Sequence, residues 1–134
     1  MHAIDYVAPK SIKEAIDLMA SGGDNAKAMA GGTDLLVQLR GGRWTSELVV
    51  DIKDIPELNQ LSCDSQQGLT IGAAVPCYKI YQNSDVAKIY PGLIDSASLI
   101  GSIQIQGRAS IGGNLCNAAP SADAIPSLIA LRAI

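Results

Sequence analysis

Lys27-Ala28-Met29-Ala30-Gly31-Gly32-Thr33-Asp34-Leu35-Leu36 runs from an apolar, strand-like segment through a glycine pair into a helix-like one. Lys27 to Ala30 predicts a strand, and Leu35, Leu36 and Leu39 predict the buried face of a short helix. Gly31-Gly32 between them can turn with positive φ and leaves peptide N–H groups open to a bulky ligand that a Cβ would shield. A second stretch, Ser110-Ile111-Gly112-Gly113-Asn114, repeats the pattern. Both loops can end at a helix N-terminus, where unpaired amides and the positive end of the macrodipole favour an anion. Thr33 and Ser110 add hydroxyls beside each turn. Taken alone, either loop reads first as a plain turn or C-cap. Together, in one small chain, they predict one ligand with two phosphates. Neither carries the Gly-Lys-Ser/Thr of a P-loop or the pattern G-x-G-x-x-G, so neither a P-loop nucleotidase nor a Rossmann dehydrogenase is indicated.

Upstream of the first loop, Ala3 to Val7 predicts a short strand that Pro9 ends. Ser11-Ile12-Lys13-Glu14 has the capping-box pattern, and Ile12, Ala15, Ile16 and Met19 recur at helical spacing until Gly22-Gly23. Leu48 to Ile52 predicts the next strand. This order suggests a small α/β subdomain over residues 1–56. From Leu58 the pattern changes. Leu58 to Cys63 and Gly68 to Ile71 predict a hairpin turning at Asp64-Ser65-Gln66-Gln67, and helices are expected over Tyr78 to Ile89 and Leu93 to Leu99, separated by Pro91-Gly92. Ile103 to Ile111 reads as extended, and Ala124 to Ala133 as a final apolar helix. The fold class expected for the whole is α+β.

The chain has 134 residues, a formal net charge of −3, 17% charged and 48% hydrophobic residues, which suits one core rather than several domains. Mild acidity argues against a nucleic-acid partner. No apolar run approaches the roughly 20 residues of a membrane span. Met1-His2-Ala3-Ile4-Asp5-Tyr6 lacks the basic and apolar regions of a signal peptide, so the expected compartment is the cytoplasm. Cys63, Cys77 and Cys116 are too irregularly spaced for a disulfide framework or a metal site and read as reduced thiols. His2, in a terminus expected to be mobile, is the only histidine. No catalytic residue and no metal ligand is therefore expected, and the chemistry must come from a cofactor.

Ala30-Gly31-Gly32-Thr33-Asp34-Leu35-Leu36, Val50-Asp51-Ile52-Lys53-Asp54-Ile55-Pro56-Glu57-Leu58 and Ser110-Ile111-Gly112-Gly113-Asn114-Leu115-Cys116-Asn117-Ala118-Ala119-Pro120-Ser121-Ala122-Asp123 occur in this order and spacing. Together they resemble the FAD-binding subunit of the molybdenum hydroxylases, a family that includes the medium subunit of aerobic carbon monoxide dehydrogenase and the flavin subunit of xanthine dehydrogenase. The resemblance covers essentially the whole chain. It implies an FAD-binding fold of the PCMH (vanillyl-alcohol-oxidase-like) type, with residues 57–134 forming the first part of a mainly antiparallel second subdomain. Since members of this family continue further, the 134 residues are expected to be a truncated FAD-binding domain.

The resemblance further implies that Ala30, Gly31, Gly32, Thr33 and Asp34 wrap one side of the FAD pyrophosphate and that Ser110, Ile111, Gly112, Gly113 and Asn114 hold the other. Asp123 reads equally as a carboxylate accepting sugar hydroxyls or as a charge favourable to a helix N-terminus, and the resemblance implies the first. Ile100 aligns with a position packing against the cofactor but also reads as core, and Asn117 either bonds the flavin region or stitches its own loop. Trp44, Tyr6, Tyr78, Tyr81 and Tyr90 read as packing. The family commonly has an Arg-Asn pair and a Thr before the second loop. Here Gln106-Gly107 and Ser110 stand instead, although Arg108 is kept: the hydroxyl is preserved, and an arginine at position 106 that could pair with a neighbouring subunit or with the loop itself is lost.

The implied function is electron transfer within an oxidoreductase complex. A molybdopterin-containing large subunit oxidises the substrate, a small 2Fe-2S subunit relays electrons, and FAD passes them to an external acceptor such as NAD or a quinone. The implied location is the cytoplasm, or the inner membrane face through the complex. Two alternatives stand beside this: a flavin-free interaction or assembly module, and a stand-alone FAD oxidoreductase of the same fold.

Overall fold

The computed structural model describes residues 3–134, so His2 lies outside the described residues. Strands β1 (Asp5–Val7), β2 (Ala26–Met29) and β3 (Leu48–Asp51) form a parallel sheet in the order β1-β3-β2. Val7 and Ala28 both pair with Val50 of the central strand. Successive side chains of a strand point to opposite faces, and Leu48-Val49-Val50 is apolar on both because helices cover both. Val50 packs with Ala15 of helix α1 (Ile12–Gly22) and with Ile55. Val49 packs on the other face with Met29 and with Leu35 and Leu39 of helix α2 (Leu35–Arg40).

The cap of α1 forms at Ser11, whose Oγ accepts from the Glu14 amide at 3.2 Å. Glu14 does not close the box on Ser11; its Oε2 accepts from the Lys10 amide at 2.9 Å. Gly23 ends the helix with φ 51, a conformation that an L side chain strains to adopt. Leu36 differs from expectation. It is 51% exposed, because a helix this short turns only Leu35 and Leu39, four residues apart, onto the sheet.

Residues beyond the parallel sheet build a second core. An antiparallel hairpin joins β4 (Leu61–Asp64) to β5 (Gly68–Ile71), and Asp64 Oδ1 shapes the turn by accepting from the amides of Gln66 and Gln67 at 2.8 and 2.7 Å. Helices α3 (Cys77–Gln82), α4 (Ser84–Ile89), α5 (Pro91–Leu99), α6 (Ile103–Gln106), α7 (Ile111–Cys116) and α8 (Ile125–Ala130) follow. Val75, Ile80, Val86, Leu93 and Ala97 form the centre of this core. Each large side chain fully buried here stabilises by about 1.5–3 kcal/mol.

Four sequence expectations are corrected. Leu58 to Gln60 is not strand: Pro56–Asn59 is a 3₁₀ turn, tied by Asn59 Nδ2 donating to the carbonyls of Lys53 and Ile55 at 2.5 and 2.9 Å. Tyr78 to Ile89 is two helices, because extended Asn83 breaks the run and caps α4 by accepting from the amides of Asp85 and Val86 at 3.0 and 3.1 Å. Pro91-Gly92 does not separate helices but forms the first turn of α5, where proline lacks only an amide that needs no helical partner. Ile103 to Ile111 is not extended. Its alternation is overridden by α6, where Gln106 is buried and donates through Nε2 to the Ser98 carbonyl at 2.7 Å, while Ile103 faces solvent. Only Ser110 bridges to another extended residue, Pro76.

Candidate functional site

The segment Ala30 to Asp34 leaves the carboxyl end of edge strand β2, the end at which open parallel sheets hold ligands. Gly32 sits at φ 76, so the turn requires glycine. The amides of Gly32, Thr33 and Asp34 and the Thr33 hydroxyl have no hydrogen-bond partner among the described residues. They are partly exposed and stand at the start of α2, where the first amides have no helical partner, so they form a row of donors open to a ligand.

The second glycine pair is built differently. Ser110 is the N-cap of α7, its Oγ accepting from the Gly113 amide at 3.0 Å, so Gly112 and Gly113 lie in the first helical turn rather than in a positive-φ loop. A Cβ on Gly112 would stand 2.5 Å from the Ala73 carbonyl oxygen, which makes this glycine a packing requirement. A Cβ on Gly113 would meet only Ser110 Oγ, at 3.0 Å, with no other atom close by.

A cleft of about 250 Å³ opens between the two stretches. Ala30, Gly31, Gly32, Thr33 and Asp34 of the first stretch and Ser110, Gly113 and Asn114 of the second line it, and so does Ile100. Three expected residues do not line it. Ile111 is buried in the second core, Gly112 is turned to Ala73, and Asp123 is exposed one residue before Ala124. The Ala124 amide donates to Asn114 Oδ1 at 3.3 Å, which ties this segment to the cleft wall. Arg108 Nε donates to the Gly31 carbonyl at 2.9 Å, and Gln38 Nε2 donates to Asn117 Oδ1 at 2.9 Å. Both bonds link the parallel-sheet half to the helical half. Asn117 therefore neither stitches its own loop nor stands free.

Lys27, Gln38, Trp44, Cys116 and Asn117 also line the cleft. Trp44 reads as packing from the sequence, yet it is 47% exposed and the Lys27 ammonium lies 5.3 Å from its ring centroid. The segment between α2 and β3, Gly41 to Glu47, has no apolar periodicity to bury an indole, and that is the signal the sequence offers.

The residues present fit a diphosphate: free amides and a hydroxyl on one wall, a capped helix start on the other, and one lysine against one aspartate in charge. The volume is below the roughly 300–1,000 Å³ of pockets that enclose a whole ligand. Such a cleft suits part of a larger ligand rather than the whole of it.

Near the carboxyl end of β3 lies a second polar group. Asp51 is 3% exposed and accepts from the Tyr6 hydroxyl at 2.5 Å and from Lys53 through its amide at 2.9 Å and its ammonium at 3.3 Å. Burial alone would push its carboxyl up, but these bonds hold it below the ordinary carboxylate value; the same bond to Asp51, with burial, raises the Tyr6 hydroxyl. Among the described residues no helix is long and apolar enough to cross a membrane.

A family model described as "FAD binding domain in molybdopterin dehydrogenase" matches residues 2–134. The chain is 37% identical over 125 residues to the xanthine dehydrogenase FAD-binding subunit of Escherichia coli, covering 92% of this chain and 42% of that one. It is 34% identical over 127 residues to caffeine dehydrogenase subunit beta of a Pseudomonas species, covering 95% and 42%. Carbon monoxide dehydrogenase of Hydrogenophaga pseudoflava superimposes with a TM-score of 0.87 at 32% identity, over 92% of this chain and 42% of that one. The chain thus spans less than half the length of the curated relatives it matches. These relatives are oxidoreductase subunits, and the fold is α+β of the PCMH type. The chain belongs to the family of FAD-binding domains of molybdopterin dehydrogenases.

Proposed function

We propose that this chain is the flavin-binding part of a multi-subunit molybdenum hydroxylase, holding the FAD diphosphate between Ala30–Asp34 and Ser110–Asn114. The single observation that carries the reading is the joining of two glycine stretches, far apart in sequence, across one cleft whose unpaired amides belong to Gly32, Thr33 and Asp34. Gly113 lets the opposite wall come close. Asp123 is proposed to accept a sugar hydroxyl, carried towards the cleft by the Ala124–Asn114 bond. Ile100 and Met29 supply apolar lining.

FAD, when bound, supplies the ability to take up electrons singly and release them as a pair. The residues of this chain bind and orient it, and none is assigned as an acid or base. The remaining parts of the reading concern the complex: a molybdopterin-containing large subunit, a 2Fe-2S small subunit, and an external acceptor such as NAD or a quinone, in the cytoplasm or at the inner membrane face. Names of relatives such as caffeine dehydrogenase subunit beta and carbon monoxide dehydrogenase medium chain support an assembly of this kind.

Titration of the full-length protein with FAD, followed by flavin fluorescence and by ultrafiltration, tests the reading. Saturable one-to-one binding is expected. Failure to bind at tens of micromolar FAD by a folded, monodisperse protein would leave the flavin-free assembly module as the better account.

A further inference from the structure

We infer that Trp44 is a stacking platform for one of the two heteroaromatic rings of the dinucleotide, an inference that rests on the FAD reading above. The cleft of about 250 Å³ is smaller than pockets that enclose a whole ligand, so a dinucleotide seated there extends its rings to neighbouring surfaces. Trp44 lines the cleft and leaves 47% of itself exposed. Its uncovered area belongs to the same lining as the unpaired amides of the first glycine loop, so a planar ring held there would bury it.

Lys27 explains why the indole is held in place while only partly covered. Its ammonium lies 5.3 Å from the ring centroid, within cation–π range, and also donates to the Asp24 carbonyl at 2.9 Å. Lys27 is therefore fixed at the backbone and fixes the ring in turn. It covers one part of the indole surface and leaves the exposed remainder to a ligand. Position along β2 agrees: Lys27 precedes Ala30 by three residues, or about 10 Å at a rise of roughly 3.3 Å per residue. The Lys27–Trp44 wall thus stands one linker's length from the diphosphate loop rather than on it. A pentose or a ribityl chain spans such a gap, so the ring is either adenine or isoalloxazine.

The test compares wild-type full-length protein with Trp44→Ala and Trp44→Phe by calorimetric titration with FAD, ADP and FMN, alongside melting temperatures. Trp44→Ala is expected to weaken FAD binding about five- to hundredfold, the effect of losing one base-stacking aromatic. Trp44→Phe should recover most of that loss. A parallel loss towards ADP identifies the ring as adenine; a parallel loss towards FMN identifies it as isoalloxazine. Trp44 is the only tryptophan of these 134 residues, so with ADP, which does not absorb its emission, a change in intrinsic fluorescence on saturation that Trp44→Phe abolishes reports contact directly. FAD binding unchanged in Trp44→Ala overturns the platform while leaving the FAD reading intact, and so does a loss that Phe fails to rescue and that tracks a lowered melting temperature. Absence of FAD binding to the wild type overturns the FAD reading itself.

Discussion

Gly31 and Arg108 are packed backbone against backbone: a Cβ on Gly31 would stand 2.1 Å from the Arg108 carbonyl oxygen and 2.6 Å from its carbon. The Arg108 side chain then returns, donating through Nε to the Gly31 carbonyl at 2.9 Å. This contact brings the first glycine stretch to the second and leaves no room for a side chain at 31. The two pairs therefore divide their work. Gly31 and Gly112 allow close packing, Gly32 allows a positive-φ turn, and Gly113 leaves the cleft open.

Gly31→Ala should therefore destabilise the fold, by at least the roughly 1–3 kcal/mol of an overpacked core, because the obstructing atoms are backbone. Gly113→Ala needs only a small shift of Ser110 Oγ and should keep its urea midpoint while lowering FAD affinity. Chemical denaturation and FAD titration of both variants separate the roles. Equal stability in Gly31→Ala would disprove the packing contact, and unaltered FAD affinity in Gly113→Ala would remove Gly113 from the ligand wall.

Legibility in the sequence followed the range of the forces involved. The strand, turn and helix around Gly31-Gly32 were legible because the apolar pattern, the glycines and the helix start agree locally over residues 26–40. Ile103-Gln104-Ile105-Gln106 alternates like a strand but has no strand to pair with, and the buried bond from Gln106 to Ser98 selects a helical turn instead. That bond joins residues from different elements, so no local pattern reports it. The same holds at the cleft. Ala30 to Asp34 announced itself through glycine, whereas Lys27, Gln38 and Trp44 line the cleft only because β2, α2 and the loop after α2 converge there.

Cysteine reactivity offers a footprint of the cleft. Cys77 is buried, and burial pushes its thiol up to about 11, so it should stay unreactive at neutral pH. Cys116 is exposed and lines the cleft. Iodoacetamide should label Cys116 and spare Cys77 in the folded protein, and saturating FAD should slow labelling of Cys116. Mass spectrometry of tryptic peptides reads both; equal labelling of Cys116 with and without FAD would place the ligand elsewhere.

The Tyr6–Asp51–Lys53 group makes stability depend on pH in two windows. Asp51 has a folded-state pKa below its usual 3.8, so its contribution is present above that value and is lost as pH falls through the lower folded value. Tyr6 has a folded-state pKa above its usual 10.0. Its contribution is complete below pH 10 and is lost as pH rises through the higher folded value. Tyr6→Phe should accordingly flatten the alkaline decline of the urea midpoint, and Asp51→Asn should flatten the acid decline while lowering stability at pH 7. Parallel pH profiles for wild type and both variants would contradict the assignment.

Asp123 decides between two uses of a carboxylate near the start of α8. It is exposed and outside the cleft lining, yet the neighbouring Ala124 amide binds Asn114 Oδ1 on the cleft wall, so its carboxylate can reach a ligand that extends past the diphosphate. Asp123→Asn keeps the shape and removes the charge. A carboxylate accepting a sugar hydroxyl predicts a loss of about 1.5–3 kcal/mol in FAD affinity with little change in melting temperature. A charge serving only the six-residue helix α8 predicts the reverse, a stability loss of about 0.3–1 kcal/mol with affinity unchanged. Asn117→Ala is the companion variant: it breaks the bond to Gln38 that joins the two halves of the cleft, so it should lower stability and affinity together. The expected outcome for Asp123→Asn is the affinity loss alone. Unchanged FAD binding with a lowered melting temperature would return Asp123 to the helix and remove it from the site.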